Sequence, residues 1–522
     1  MLFNVAFCCS QRVAFFYLIA AVLGNSRLQA QDPAILAGKE LFEQVWQFDD
    51  YKDPLLEGTA VANDRNEVGN GLGPLHNAKS CLACHAGGGA SGVEHNVTMI
   101  TLDPRSPVFN PDFSKGLGRR DLLALFPGVL TASGSVSLDS VVHNESTRSG
   151  YSDIRQRLSE FVPGGIPRTW FQPEIRTSQS IAANPILAGR YESIYFYLNQ
   201  RNPPPLFGLG LIDRIADADL DRIAVSQNRQ TGGEVSGRRG IGKFGWRAQT
   251  TTLASFVRGA CAGELGLSQT DVLEPIDPAD WSYLNPGIDI TSQQCDLLTS
   301  YVASLEKPMV APTTRYSLAK EGKLQFYRLG CALCHVENME PARGLYSDLL
   351  LHDMGTRLQA PSPAPVAAST KGVQLFAARS FRVNDPSFSN RRDLFGGGSI
   401  NAYYGTPVDQ YPKLFVQSPF SIDHVPQFPA VDIPLRSDLP TKDVGITWEA
   451  LQREWRTPPL WGLADSGPYL HDGRARSIDE AIRWHGGEAT EAAKKYDDMT
   501  DRNRDSLLAF FSTLISPGRA NF

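Results

Sequence analysis

The sequence carries no surplus of positive charge. Lysine and arginine number 50 against 56 aspartates and glutamates, for a formal net charge of -6 and a pI near 5.9. Phosphate binding needs a basic face, so nucleic acid is excluded as a partner. Acidic and basic residues are interspersed, and no block of like charge forms an interaction tail. Hydrophobic residues make up 42% of the chain, which excludes wholesale disorder. At 522 residues the chain is too long for one core, and two to three domains are expected.

Long apolar runs are missing too, with one exception. Val13 to Gly24 is apolar, preceded by Arg12 and followed by a polar stretch ending Leu28-Gln29-Ala30. It is too short to span a bilayer comfortably and reads as a cleaved signal peptide over 1–30, with an uncleaved anchor as the alternative. Cys8 and Cys9 precede the run, so they do not form a lipoprotein cleavage site. No later segment is apolar enough to cross a membrane. A periplasmic or otherwise exported protein is expected, with no integral span after signal removal.

Cysteine and histidine are scarce, eight and nine in the chain, and their placement is informative. Past the leader there are six cysteines. Four of them form Cys81-Leu82-Ala83-Cys84-His85 and Cys331-Ala332-Leu333-Cys334-His335. In c-type haem attachment two thiols add to the vinyl groups, and the adjacent histidine reaches the iron from the same turn of chain. One chance CxxCH is expected on the order of once in several hundred such chains, so two by chance are negligible. A four-cysteine zinc site would not require histidine after both pairs, and no strand–CxxC–helix context suggests a thioredoxin-like dithiol. Two covalently bound haem c groups are therefore expected, with His85 and His335 as iron ligands. Cys261 and Cys295 remain, and could form a disulfide in an oxidising compartment; sequence alone does not bring them together.

Each motif sits in a similar frame. Gly38-Lys39-Glu40-Leu41-Phe42 precedes the first and Gly322-Lys323-Leu324-Gln325-Phe326 the second. The halves also end alike, because 296–305 and 505–514 share D-x-L-x-x-[YF]-x-x-[ST]-L with the apolar positions on one helical face. This is an internal duplication. The expected fold is mainly α: two cytochrome c-like haem domains, 31–310 and 311–522, with long loop-rich insertions, one at about 358–450. The 35 prolines and 46 glycines fit long irregular connections.

Three segments resemble the di-haem cytochrome c peroxidase superfamily, in its di-haem oxidoreductase branch. They are Pro203-Pro204-Pro205-Leu206-Phe207-Gly208-Leu209-Gly210, Asp348 to Gly355, and the C-terminal series Trp455-Arg456-Thr457-Pro458-Pro459-Leu460-Trp461-Gly462, Pro468 to Gly473 and Ile478 to Ile482. The resemblance implies one six-coordinate haem that relays electrons and a second that opens to peroxide. It places His485, where classical peroxidases have methionine, as second axial ligand of the C-terminal haem; His471 and His352 stand next in line. For the N-terminal haem the family pattern maps onto Trp246, Leu253, Phe256 and Glu264. Trp246 would carry electrons between the haems, and Glu264 would be the distal acid/base for O–O cleavage. Phe256 replaces the family's glutamine, and Glu264 falls two residues early. A surface carboxylate and a core tryptophan are the plainer alternatives. His143 and His95 are the candidates for a labile distal ligand, while His76 and His424 have no pattern behind them.

The activity this implies is reduction of hydrogen peroxide at the N-terminal haem, with electrons from a small redox protein or other donor. An oxygenase or protein-modifying oxidase acting with dioxygen is the first alternative, which Phe256 would favour. A non-catalytic electron carrier is the second. Calcium between the domains is left open.

Overall fold

The same helix crossing occurs twice. In the first half α1 (Pro33–Glu43) begins at Asp32, whose side chain accepts from Ala34 N at 3.0 Å, and packs on α4 (Ser292–Ser304). Among the helices between them in sequence are α2 (Cys81–Cys84) and α3 (Leu253–Leu265). In the second half α5 (Tyr316–Leu329) packs on α7 (Asp501–Phe511), with α6 (Ile478–Trp484) between them in sequence. The contact is made the same way in both. A Cβ on Gly38 would lie 2.1 Å from Leu297 O, and one on Gly322 would lie 1.9 Å from Ser506 O, so each crossing is close enough to demand glycine. One turn on, Phe42 meets Tyr301 with ring centroids at 5.2 Å, and Phe326 meets Phe510 at 5.7 Å. The residues repeated in sequence are those that make the contact in each half.

The computed structural model describes residues 32–49, 69–103, 106, 126–129, 139–192, 194–275, 287–362, 364 and 448–517. The leader, most of the 358–450 insertion and His424 lie outside the described residues. Among the described residues no helix is long and apolar enough to cross a membrane.

The expectation of a mainly α chain needs correction: the architecture is mixed. An antiparallel sheet fills much of the region between the first CxxCH and Trp246. It is made of β1 (Val97–Leu102), β2 (Asp139–Val142), β3 (Ile186–Tyr191) and β4 (Ile194–Arg201), in spatial order β2-β1-β4-β3. Val97 pairs with Arg201 and Leu102 with Phe196 across its centre. Runs such as Val97-Thr98-Met99-Ile100-Thr101-Leu102 favour the pleated state. All six residues of β1 are buried, so the polar–apolar alternation that betrays a half-exposed strand is absent. One face, with Ile100, Leu102, Val142, Phe196 and Leu198, packs on Trp170 and Leu158. The other face presents Val97, Met99, Asp139 and Arg201 to a cavity.

The halves share buried contacts. Leu345, Leu349, Leu350 and Trp461 pack in one apolar cluster with Phe256, Cys261 and Leu298. β5 (Leu351–Asp353) pairs with β6 (Glu454–Arg456), Arg238 bridges to Leu351, and Arg456 N donates to Trp246 O at 3.0 Å. The segment bearing Trp246 is thereby fixed against the C-terminal half.

Candidate functional site

The first CxxCH opens a chamber. Ser80 caps α2, accepting from Ala83 N at 3.2 Å, and His85 N donates to Cys81 O at 3.0 Å. This single turn puts Cys81, Cys84 and His85 on the wall of a cavity of about 450 Å³, a size suited to a cofactor. The wall also includes Phe256, Ala260, Cys261 and Glu264 of α3, together with Trp246, Arg247 and the sheet face. Burial pushes both thiols up to about 12 and lowers His85 to about 4. The imidazole is therefore neutral, the form that ligates a metal.

Glu264 lies in the last turn of α3, which ends at Gly266 with φ 63°. Its Oε2 accepts from Asn77 Nδ2 at 2.7 Å, and its carbonyl accepts from Asn77 N at 2.7 Å, so one asparagine clamps it at both ends. Its charge helps raise both Cys81 and Cys84, which places it within electrostatic reach of the motif. Trp246 donates from Nε1 to Asn202 O at 2.7 Å. It lines the large cavity and also a smaller one of about 110 Å³, whose walls include Arg456, Leu460 and Trp461 of the C-terminal half. Phe256 borders both cavities and leans on Phe244 at 5.8 Å.

The two histidines weighed as distal ligands are separated by the fold. His95 lines the cavity, its Nδ1 3.6 Å from Cys84 Sγ, and it contributes to lowering His85. His143 is buried behind α3, where Nε2 donates to Gly263 O at 2.9 Å. His76 is buried beside Glu145, 3.4 Å away.

The second CxxCH has different company. α5 ends at Gly330 with φ 88°, the turn Cys331–Leu333 follows, and His335 N donates to Cys331 O at 2.9 Å. His335 Nδ1 donates to Tyr346 O at 2.9 Å; His485, at the end of α6, donates from Nδ1 to Ala481 O at 2.8 Å. Each bond leaves Nε2 as the nitrogen available to a metal. Burial lowers His335 to about 4, with His485 adding to the effect, and burial also lowers His485. Two neutral imidazoles with oriented rings, close enough to sense one another, fit the axial ligands of one haem.

The runners-up do not fit that role. His352 is buried between Asp348 Oδ2 at 2.9 Å and Glu488 Oε2 at 2.6 Å. Against the penalty of burial, Asp348 holds it well above an ordinary histidine. His471 stacks flat on Trp455, ring centroids 3.7 Å apart. Burial and the cations of Arg474, Arg201 and Arg247 keep it neutral. The four motif cysteines are not gathered for a four-cysteine zinc site. Among the described residues the one cluster of metal-ligating groups is Cys334, Asp348 and His352.

Sequence reasoning missed Asn77, Arg201 and Arg247. Arg201 and Arg247 line the sheet end of the cavity with Asp139, and burial lowers both. Arg201 directly precedes the Asn202-Pro203-Pro204 stretch, and Arg247 follows Trp246, so adjacency to recognised segments was the available signal. Asn77 carried none.

Residues 441–514 match the model of the family described as "Di-haem oxidoreductase, putative peroxidase", the branch the C-terminal segments resemble. The matched stretch includes His485 and neither CxxCH. No curated protein matches the chain. Among solved structures, the hydrazine synthase of Kuenenia stuttgartiensis pressurized with 20 bar xenon is 16% identical. That match covers 60% of this chain and 72% of the other with a TM-score of 0.24, too loose a superposition to bear on the fold.

Proposed function

We propose that the protein is an exported di-haem c-type oxidoreductase that reduces hydrogen peroxide at the N-terminal CxxCH and draws electrons through the C-terminal one. The observation that carries this reading is the carboxylate of Glu264 on the wall of the cavity that Cys81, Cys84 and His85 also line. A purely electron-carrying site has no use for a clamped carboxylate inside its haem chamber.

Cys81 and Cys84 would hold one haem and Cys331 and Cys334 the other, in two cytochrome c-like units. When bound, the haems supply the iron chemistry and the one-electron steps. The chain supplies the rest. Glu264 would move a proton from one oxygen of peroxide to the other, so that the second can leave as water while the haem would supply the electrons for O–O cleavage. Asn77 fixes the carboxylate so that it need not reorganise. Trp246, on the shared wall of the two cavities, lies on the path for electrons arriving from the His335/His485 side. Overall, one peroxide, two protons and two electrons give two waters. The electrons come from a small redox protein or another external donor.

A second reading is supported by Phe256. With Val97, Met99, Val257 and Ala260 it makes the cavity wall largely apolar, which suits dioxygen and an oxygenase or protein-modifying oxidase. The electron paramagnetic resonance spectrum of the purified protein distinguishes the options. A high-spin centre that changes on adding peroxide, with colour that resists acid–acetone extraction, is expected. A high-spin centre indifferent to peroxide would favour the oxygenase. Two low-spin centres unmoved by peroxide would leave an electron carrier.

A further inference from the structure

Past the leader two cysteines lie outside the motifs, and one of them, Cys261, is on the wall of the same chamber. Cys261, on α3, is buried and lines the cavity with Cys81 and Cys84. Cys295, on α4, is fully buried behind it. α3 and α4 pack side by side, and Arg258, one turn before Cys261, pairs with Asp296, next to Cys295, at 3.0 Å. Cys295 Sγ donates to Gln269 Oε1 at 3.3 Å. That amide is held independently, because Gln269 Nε2 donates to Arg258 O at 2.8 Å.

This arrangement poses a chemical problem for an exported chain. Haem attachment needs Cys81 and Cys84 as thiols, while the receiving compartment oxidises thiols to disulfides. A free Cys261 in the same chamber as Cys81 would be a ready partner for the wrong cross-link. We infer that Cys261 and Cys295 form a disulfide in the mature protein, and that this cross-link keeps Cys81 available for haem while tying α3, the helix of Glu264, to α4. The inference rests on the exported, haem-bearing reading given above.

The chemistry is thiol–disulfide exchange with a disulfide-bearing oxidant protein of that compartment. The thiolate of one cysteine attacks the oxidant's disulfide to give a mixed disulfide, and the second displaces the oxidant's sulfur. Two S–H bonds are lost and one S–S bond forms. Both electrons and two protons' worth of hydrogen end on the oxidant, which departs as a dithiol. Both sulfurs are buried in the folded chain, so the exchange precedes closure of the core, and the finished bond is shielded from reductants.

The test uses the full-length holoprotein, exported and purified without reductant. It is denatured in excess iodoacetamide, digested and mapped by mass spectrometry. A linked peptide containing Cys261 and Cys295, unalkylated and two hydrogens lighter than the separate thiol peptides, is expected; alkylation at both positions would overturn the inference. The same digest reports Cys81 and Cys84. Alkylation there sinks the haem reading and leaves the cross-link standing, so the two failures are separable. A pair of variants tests the protective role. Cys295→Ser should lower haem from two per chain towards about one by pyridine haemochrome, and the double variant Cys261→Ser/Cys295→Ser should restore it. Full haem in Cys295→Ser overturns the protective role. Low haem in the double variant does the same, since removing the spare thiol then gives no rescue.

Discussion

The two CxxCH turns are alike in backbone and differ in what surrounds them. Around His85 the chain leaves a cavity of about 450 Å³ with Glu264 and His95 on its wall. Around His335 it delivers a second imidazole, His485, with both rings oriented through Nδ1 by backbone carbonyls. The motif alone does not set its surroundings. What lies beside each motif is set by residues far away in sequence, and on the proposed reading this makes the first site open and the second closed.

That contrast can be broken from either side. The largest expected effect is at the open site: Glu264→Gln should slow the reaction with peroxide on the order of 10²–10⁴-fold while leaving both haem spectra in place. Stopped-flow absorbance measures it, and full reactivity would reduce Glu264 to an ordinary wall carboxylate. At the closed site, His485→Met should raise the midpoint potential of the C-terminal haem by on the order of 0.1 V, because thioether ligation favours the ferrous state. The N-terminal potential should stay put. A spectroelectrochemical titration in which neither potential moves would send the axial ligand elsewhere. Trp246→Phe should let peroxide react at the first haem while oxidation of the second lags.

How much of this was readable from the chain depends on where the signal lay. Gly38 and Phe42, Gly322 and Phe326, and the D-x-L-x-x-[YF] helices were legible because the residues that repeat are those in contact. The sheet was not: β1 is buried on both faces, and its two threonines, Thr98 and Thr101, fall on opposite faces, so neither a clean alternation nor an unbroken apolar run marks it. Asn77 was invisible for a different reason. It meets Glu264 across most of the first half, and nothing local marks an asparagine that will clamp a carboxylate. His95 and His143 looked equivalent in sequence. Only the placement of α3 puts one in the cavity and the other behind its wall.

The shared crossing gives a smaller effect that should be equal in the two halves. Gly322→Ala would drive a Cβ to 1.9 Å from Ser506 O, and Gly38→Ala to 2.1 Å from Leu297 O. Backbone on the receiving side cannot yield as a side chain can. Each change should destabilise by roughly 1–3 kcal/mol, measured by chemical denaturation. A neutral result at either position would mean that the two crossings are not equivalent.

The smallest effect separates the halves by sign. In the first, His143 is buried and lowered to about 4, chiefly by burial. Its neutral ring holds Gly263 O beside Glu264. The unfolded value is about 6.5, so the folded state binds the proton less readily than the unfolded one. This contribution is present above about 6.5 and is lost as pH falls towards 4. Between pH 7.5 and 5.5 the loss is about 1 kcal/mol. In the second half, His352 is raised well above its ordinary value, the carboxylate of Asp348 at 2.9 Å outweighing burial. Its contribution is fully present below about 6.5 and is lost only as pH rises through the folded value. Acidification should therefore loosen the region around His143 and leave that around His352 as firm or firmer. Hydrogen exchange at the two pH values, corrected for intrinsic amide rates, reads each region separately. Protection should fall over 139–160 and hold or rise over 348–354. A fall of equal size in both regions would mean that His352 is not held protonated by its carboxylates. A steady signal over 139–160 would mean that His143 takes its proton without cost, and that its bond to Gly263 does not fix the helix of Glu264.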